Sequence, residues 1–147
     1  MFISTNVSPP MHSSGGLFHV PLCIIIGFPF FHEDSHHIYV HAGLNPQYEN
    51  WKEQTKHEFM YIKEPFLNHP TTVDKIVVFG HTKAMDIHGK ADVWFGGDKI
   101  GIDGGCAYGL QLNCLEIRGK NDYAVYSVNC SHHEQPSEAD GIVLKKR

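Results

Sequence analysis

Two short runs of strand-forming residues, each delivering a histidine at its end beside small residues, constrain this chain more than any other feature. The first is Ile38-Tyr39-Val40, followed by His41, Ala42 and Gly43 and closed by the turn signal Asn45-Pro46. The second is Ile76-Val77-Val78-Phe79, followed by Gly80, His81 and Thr82. Unbroken β-branched and aromatic runs of this kind read as strands covered on both faces. A histidine at the end of such a strand sits on a rigid element, and Ala42 and Gly43 leave room beside it for an ion and a ligand. Neutral imidazole suits Mn, Fe, Zn or Ni, and α/β proteins place their sites at the carboxyl ends of strands. His41 and His81 are therefore candidate metal ligands.

Around these two units the chain reads as β-rich with one helix. Trp51, Thr55, Phe59 and Ile62 fall at helical spacing with charged residues between them, which predicts an amphipathic helix of about three turns over residues 48–60. Pro65 and Pro70 discourage its continuation. Val93-Trp94-Phe95 and Lys99 to Asp103, joined by Gly96-Gly97-Asp98, predict two tightly connected strands. Leu110 to Ile117 alternates as a half-buried strand does, and after the turn residues 118–122 the run Tyr123 to Val128 pairs back on it. Phe30 to His37 reads as a polar connection. Residues 1–30 form an irregular segment with an apolar stretch at Val20 to Phe28, and the polar residues 131–147 read as a disordered tail. No repeat or linker divides the chain, and 147 residues are enough for one domain with a buried core.

Composition excludes several classes. A net charge of −4 argues against a nucleic-acid binder held by counterion release. The apolar run Val20 to Phe31 is short, and Pro21, Gly27 and Pro29 break it, so it does not predict a membrane span of roughly 20 residues. No Lys or Arg precedes Lys52, which leaves no positive region for an export signal. The four cysteines (Cys23, Cys106, Cys114 and Cys130) contain no Cys-x-x-Cys pair and predict reduced, mostly buried thiols in a cytoplasmic protein. Most of the 12 histidines read as surface residues. A zinc site built on His32, His36, His37 and His41 is disfavoured. On a strand His37 and His41 share a face but stand about 13 Å apart.

Three segments together carry a resemblance. "IYVHAGLNP" (residues 38–46), "KIVVFGHTKAMDIHG" (75–89) and "KIGIDGGCAYGLQLNCLEI" (99–117) resemble the C-terminal half of the calcineurin-like metallophosphatases. The nearest branch is the bacterial serine/threonine phosphatase and symmetrical diadenosine tetraphosphatase group. The resemblance spans roughly Phe31 to Val128, placing the C-terminal part of a metallophosphatase domain at residues 31–130. It implies an α/β fold of the metallophosphatase β-sandwich type, present as its C-terminal half. It also implies that His41 and His81 match the two histidines on the second ion of a dinuclear Mn, Fe or Zn centre. "FMYIKEPF" (59–66) resembles the segment that usually reads Trp-Ile-Arg, where the arginine meets substrate phosphate. Here Tyr61 and Lys63 stand at the aromatic and cationic positions. Lysine keeps the charge but loses the bidentate fork. Asp103 falls where relatives read Ile-Asp-Thr-Gly, with Gly104 at the threonine, and as a residue in its own right it shapes a turn.

The implied reaction is two-metal phosphoester hydrolysis, in which both ions lie within about 4 Å and share a carboxylate. The N-terminal motifs that supply the first metal's ligands, the bridging carboxylate and the general acid are absent; residues 1–30 contain no Asp, Glu, Lys or Arg. The resulting expectation is a phosphoprotein phosphatase or dinucleoside polyphosphate hydrolase in truncated form, binding its divalent ion weakly and turning over negligibly. No catalytic residue is assigned beyond that site. The alternative is a non-catalytic interaction domain whose uncovered apolar surface favours self-association.

Overall fold

The computed structural model describes residues 2–5, 29–130 and 143–146. They form a mixed α/β structure built on two sheets. The expectations for Val20 to Phe28, for Cys23 and for residues 131–142 lie outside the described residues.

The larger sheet has strands β2 (Phe31–Glu33), β3 (His37–Val40), β4 (Ile76–Phe79), β5 (Trp94–Phe95) and β6 (Lys99–Gly101), in the order β2-β3-β4-β6-β5. The two runs that end in histidine are the neighbouring parallel strands β3 and β4, with Tyr39 opposite Val78. β4 in turn runs parallel to β6. The edge pairs β2–β3 and β5–β6 are antiparallel, the latter joined by the expected tight turn. The connection expected from Phe30 to His37 is corrected: Phe31–Glu33 is a strand and His37 already belongs to β3.

The second sheet centres on the predicted hairpin of β7 (Gln111–Gly119) and β8 (Asp122–Asn129). At its edges β1 (Phe2–Thr5) pairs parallel with β7, and β9 (Val143–Lys146) pairs antiparallel with β8. Both lie in the termini for which the sequence predicted no element.

Alternation along the strands sends side chains into two cores. Tyr39, Val78, Val93, Ile100 and Ile102 face Leu115 and Ile117 of the hairpin, so this cluster lies between the sheets. Ile38, Val40, Val77 and Phe79 point the other way, into a cluster with Phe59, Ile62 and Phe66 from the helical segments. Each strand of the β3–β4 pair is thus covered on both faces, which is why the runs carry no polar alternation.

The single helix expected over 48–60 is corrected. A 3-10 turn at Trp51–Glu53 is followed by α1 (Lys56–Tyr61) and α2 (Glu64–Asn68), with a break at Gln54–Thr55. The break has a specific cause. Gln54 is buried, its amide donates to the Gly43 carbonyl at 3.0 Å, and its carbonyl oxygen accepts from the Asn45 N–H at 2.8 Å. Holding Gln54 extended in this way satisfies the backbone after His41 but cannot continue a helix. Thr55 then restarts it as N-cap, with Glu58 completing a capping box. A third short helix, α3 (Ala84–His88), ends at Gly89 in the left-handed conformation. No helix among the described residues is long and apolar enough to cross a membrane.

The thiol expectation is corrected at two positions, since Cys106 and Cys130 are joined in a disulfide. Cys114 is free and half-buried. The bond was illegible because the two residues are 24 positions apart and meet only through the β7–β8 hairpin.

Candidate metal centre

His41 and His81 are brought together by the parallel register of β3 and β4. Beyond the last ladder pair, the Gly80 N–H donates to the His41 carbonyl at 2.9 Å, so the two strands leave the sheet side by side. The imidazole centroids then lie 5.2 Å apart. His41 is exposed and His81 half-buried.

His81 is also the one non-glycine residue among those described with positive φ, at 64°. The Thr82 N–H folds back to the Gly80 carbonyl at 2.6 Å, which puts His81 at the apex of a γ-turn. A side chain in this region costs of order 1 kcal/mol or more, and such positions cluster at sites where a residue must be aimed. The Thr82 hydroxyl is buried and has no hydrogen-bond partner among the described residues.

The surroundings favour the neutral form of His81. Burial first, then the nearby His41 and Lys63, push its imidazole below the ordinary histidine value, and the Asp103 carboxylate only partly opposes them. A neutral imidazole is the form that ligates a metal. Lys63 sits at the N-terminal boundary of α2 as an exposed cation without a side-chain cap bond. Tyr61 is 57 % exposed and meets the His81 ring edge-on at 5.8 Å. Asp103 acts as a turn residue: its Oδ1 accepts the Gly105 N–H at 2.9 Å, and its carbonyl accepts the Ala84 N–H at 2.8 Å. At Gly104 a Cβ would lie 2.4 Å from the Gln111 carbonyl oxygen, so the threonine of the resembled pattern has no room here.

The space left by Gly43 is not available to an ion. A Cβ there would fall 2.3 Å from Phe66 Cδ1, because the buried Phe66 ring already occupies that volume. This corrects the reading of Gly43 as clearance for a ligand.

These residues fit part of one ion's coordination and do not fit a dinuclear centre. Two imidazoles are present, but among the described residues no group of three or more His, Cys, Asp or Glu side chains is placed to hold an ion. A cleft of about 630 Å³ lies elsewhere, between Trp94, Phe95, Tyr123 and Val125. His41, His81 and Lys63 do not line it.

Two polar features escaped the sequence reading. His37, expected at the surface, is 1 % exposed between the sheets. Its Nε2 is 2.9 Å from the Tyr123 hydroxyl, and its Nδ1 is 3.5 Å from Asp34 Oδ1. Burial pushes the His37 imidazole down, outweighing the pull of Asp34. Asp34 also accepts from the Tyr39 hydroxyl at 2.7 Å. Burial works to raise its carboxyl, but that bond and the His36 and His37 N–H groups bring it down to about 2. This network also removes His37 from any cluster with His32, His36 and His41. Lys99, 3 % exposed on β6, donates to the His69 carbonyl at 2.8 Å, pairs with Asp98 at 3.2 Å and lies over the Phe66 ring. Neither carries a signal in the sequence: every position of β3 and β6 is buried, so place along the strand does not separate inward from outward residues.

No family model, curated protein or solved structure matches this chain.

Proposed function

We propose that this chain is a metallophosphatase-type β-sandwich polypeptide carrying only the second-metal half of a phosphoester hydrolase site. In this reading His41 and His81 hold one divalent ion weakly, with Mn, Fe or Zn as candidates, and Lys63 offers a cation to a substrate phosphate. Phosphoester hydrolysis of a phosphoprotein or dinucleoside polyphosphate requires ligands that the described residues do not supply. The observation that carries the reading is the convergence of His41 and His81 at 5.2 Å on adjacent parallel strands, with His81 held in a left-handed γ-turn. Core packing has no use for that backbone conformation at a half-buried residue.

The test combines metal binding with turnover. Titration calorimetry with Zn²⁺ and Mn²⁺ on untagged protein should detect a single weak site that His41→Ala and His81→Asn each abolish. Asparagine is chosen at 81 because it tolerates positive φ. Hydrolysis of p-nitrophenyl phosphate with Mn²⁺ should stay at background. Metal uptake unchanged in both variants would end the reading, and a turnover rate lost in both would show the site to be complete.

A non-catalytic interaction domain is the second reading. It is favoured by the pair Leu112 and Val128, which are exposed directly opposite one another on the outer face of the β7–β8 hairpin. Self-association through that face should disappear on Val128→Lys in light scattering. A monomer at all concentrations would count against it.

A further inference from the structure

We propose that the Cys106–Cys130 disulfide is a thiol-exchange site through which a small thiol or dithiol reductant loosens the loop beside His81. Cys106 opens a 3-10 turn, Cys106–Tyr108, that follows directly on Asp103-Gly104-Gly105. That turn is exposed, and Cys130, half-buried, directly follows β8. An incoming thiolate reaches Cys106 more readily than Cys130 for this reason.

The turn also has a cation beside it. The Lys83 side chain runs past Gly105, whose added Cβ would lie 3.4 Å from Lys83 Cδ, and its Nζ stands 4.5 Å over the Tyr108 ring. Lys83 Nζ also pairs with the exposed Asp86 carboxylate at 3.4 Å, which offsets part of its charge, and what remains beside the turn favours the approach of an anionic thiolate.

The exchange proceeds in two balanced steps. A thiolate forms a bond to Cys106 Sγ while the Cys106–Cys130 bond breaks, and its electron pair leaves on Cys130 as thiolate. A second thiolate then attacks the mixed disulfide, releasing the Cys106 thiolate and a small-molecule disulfide, so that two electrons pass to the protein. The Cys130 and Cys106 thiolates take up protons from solvent.

Opening the bond has a route to the candidate centre. With the bond closed, Cys106 is tied to the far end of the hairpin, and the Cys130 N–H also holds the Leu110 carbonyl at 2.8 Å. The same loop begins at Asp103, which supports Ala84 through its carbonyl and acts on His81 through its carboxylate. Lys83 links the turn to the chain two residues beyond His81. Releasing Cys106 removes the covalent anchor of the loop and leaves Asp103 held by hydrogen bonds alone. The inference stands whether or not a metal binds at His41 and His81.

The experiment uses the full chain in a Cys23→Ser, Cys114→Ser background to prevent reshuffling. Protein equilibrated in a series of glutathione redox buffers is trapped with iodoacetamide and weighed by mass spectrometry. Its amide hydrogen exchange is followed in parallel. The expected result is a reduction midpoint within the glutathione series, a mixed disulfide on Cys106, and at least about tenfold faster exchange across residues 103–110 and at Ala84, with residues 76–79 unchanged. A Cys106→Ser, Cys130→Ser variant should show the fast exchange without reductant. A bond that stays closed across the series would overturn the proposal. So would reduction that leaves exchange at residues 103–110 and Ala84 unaltered. If the double variant fails to fold, the redox series on the cysteine pair still decides the matter.

Discussion

Replacing Gly43 by alanine tests how the segment after His41 is packed. The new Cβ would stand 2.3, 2.6 and 2.9 Å from Cδ1, Cγ and Cε1 of Phe66. Carbon atoms rest about 3.5–4.0 Å apart, so the ring or the backbone must give by about 1 Å. The ring has little freedom to do so. Phe66 is 2 % exposed, stands perpendicular to Phe79 at 5.0 Å, and has Lys99 Nζ 5.1 Å above its face. Overpacking of this kind costs about 1–3 kcal/mol, and a clash this close belongs in the upper part of that range. An opposing effect exists: alanine lowers the entropy of the unfolded chain and, where the backbone allows it, returns about 0.4–1 kcal/mol. The φ of Gly43 is not in the left-handed region, so that gain is available. The steric loss is the larger, and the net expectation is a destabilisation of about 1–2 kcal/mol in urea unfolding. Phe66→Leu should destabilise the parent, yet Gly43→Ala in that background should cost distinctly less, with a coupling of about 1 kcal/mol. A neutral or stabilising Gly43→Ala would refute the argument, because it would mean that the volume beside His41 is empty.

Two further outcomes follow from the buried polar groups. His37 and His81 both have folded pKa values depressed below the ordinary histidine value, chiefly by burial. The unfolded chain therefore binds protons that the folded chain does not, and stability should fall as pH drops below about 6.5. Asp34, at about 2, adds stability that is present above the ordinary carboxylate value and is lost as pH falls towards 2. Urea midpoints measured from pH 8 to 3 should show the first decline flattened by His37→Gln, with a residue left by His81; an unchanged slope would reject the role of His37. At Lys99, methionine and alanine both remove the donor to the His69 carbonyl and the partner of Asp98, but methionine keeps the buried stem and should cost about 1.5 kcal/mol, whereas alanine also empties the stem's volume, at about 3 kcal/mol. Asp98, a third exposed, moderates the loss of the ion pair. Equal costs for the two variants would show that the charge, not the packing, governs this position.

The segments around the histidines were legible because their information is local. Ile38 to Val40 and Ile76 to Phe79 are unbroken runs, and a run covered on both faces cannot carry polar alternation without burying it. The β5–β6 turn and the β7–β8 hairpin were equally readable from Gly96-Gly97 and from alternation along Leu110 to Ile117. The helix over 48–60 failed for a non-local reason. Its apolar spacing is helical, but Gln54 is recruited by Gly43 and Asn45, and two hydrogen bonds to a distant loop outweigh one residue's helical preference. The restart was visible in Thr55 and Glu58, whose capping-box spacing marks a helix beginning inside the longer periodic stretch.

What the sequence determined by itself is that two strands end in histidine and that the described chain has a mixed α/β character. It could not determine which strands are neighbours. The parallel pairing of β3 with β4, closed by the bond from Gly80 to His41, makes two histidines forty residues apart a 5.2 Å pair. Tertiary structure also decided that Gly43 serves the Phe66 ring, that His37 is buried between sheets, and that Cys106 meets Cys130. Each of these depends on the volume and hydrogen-bonding needs of residues distant in the chain, which local pattern does not encode.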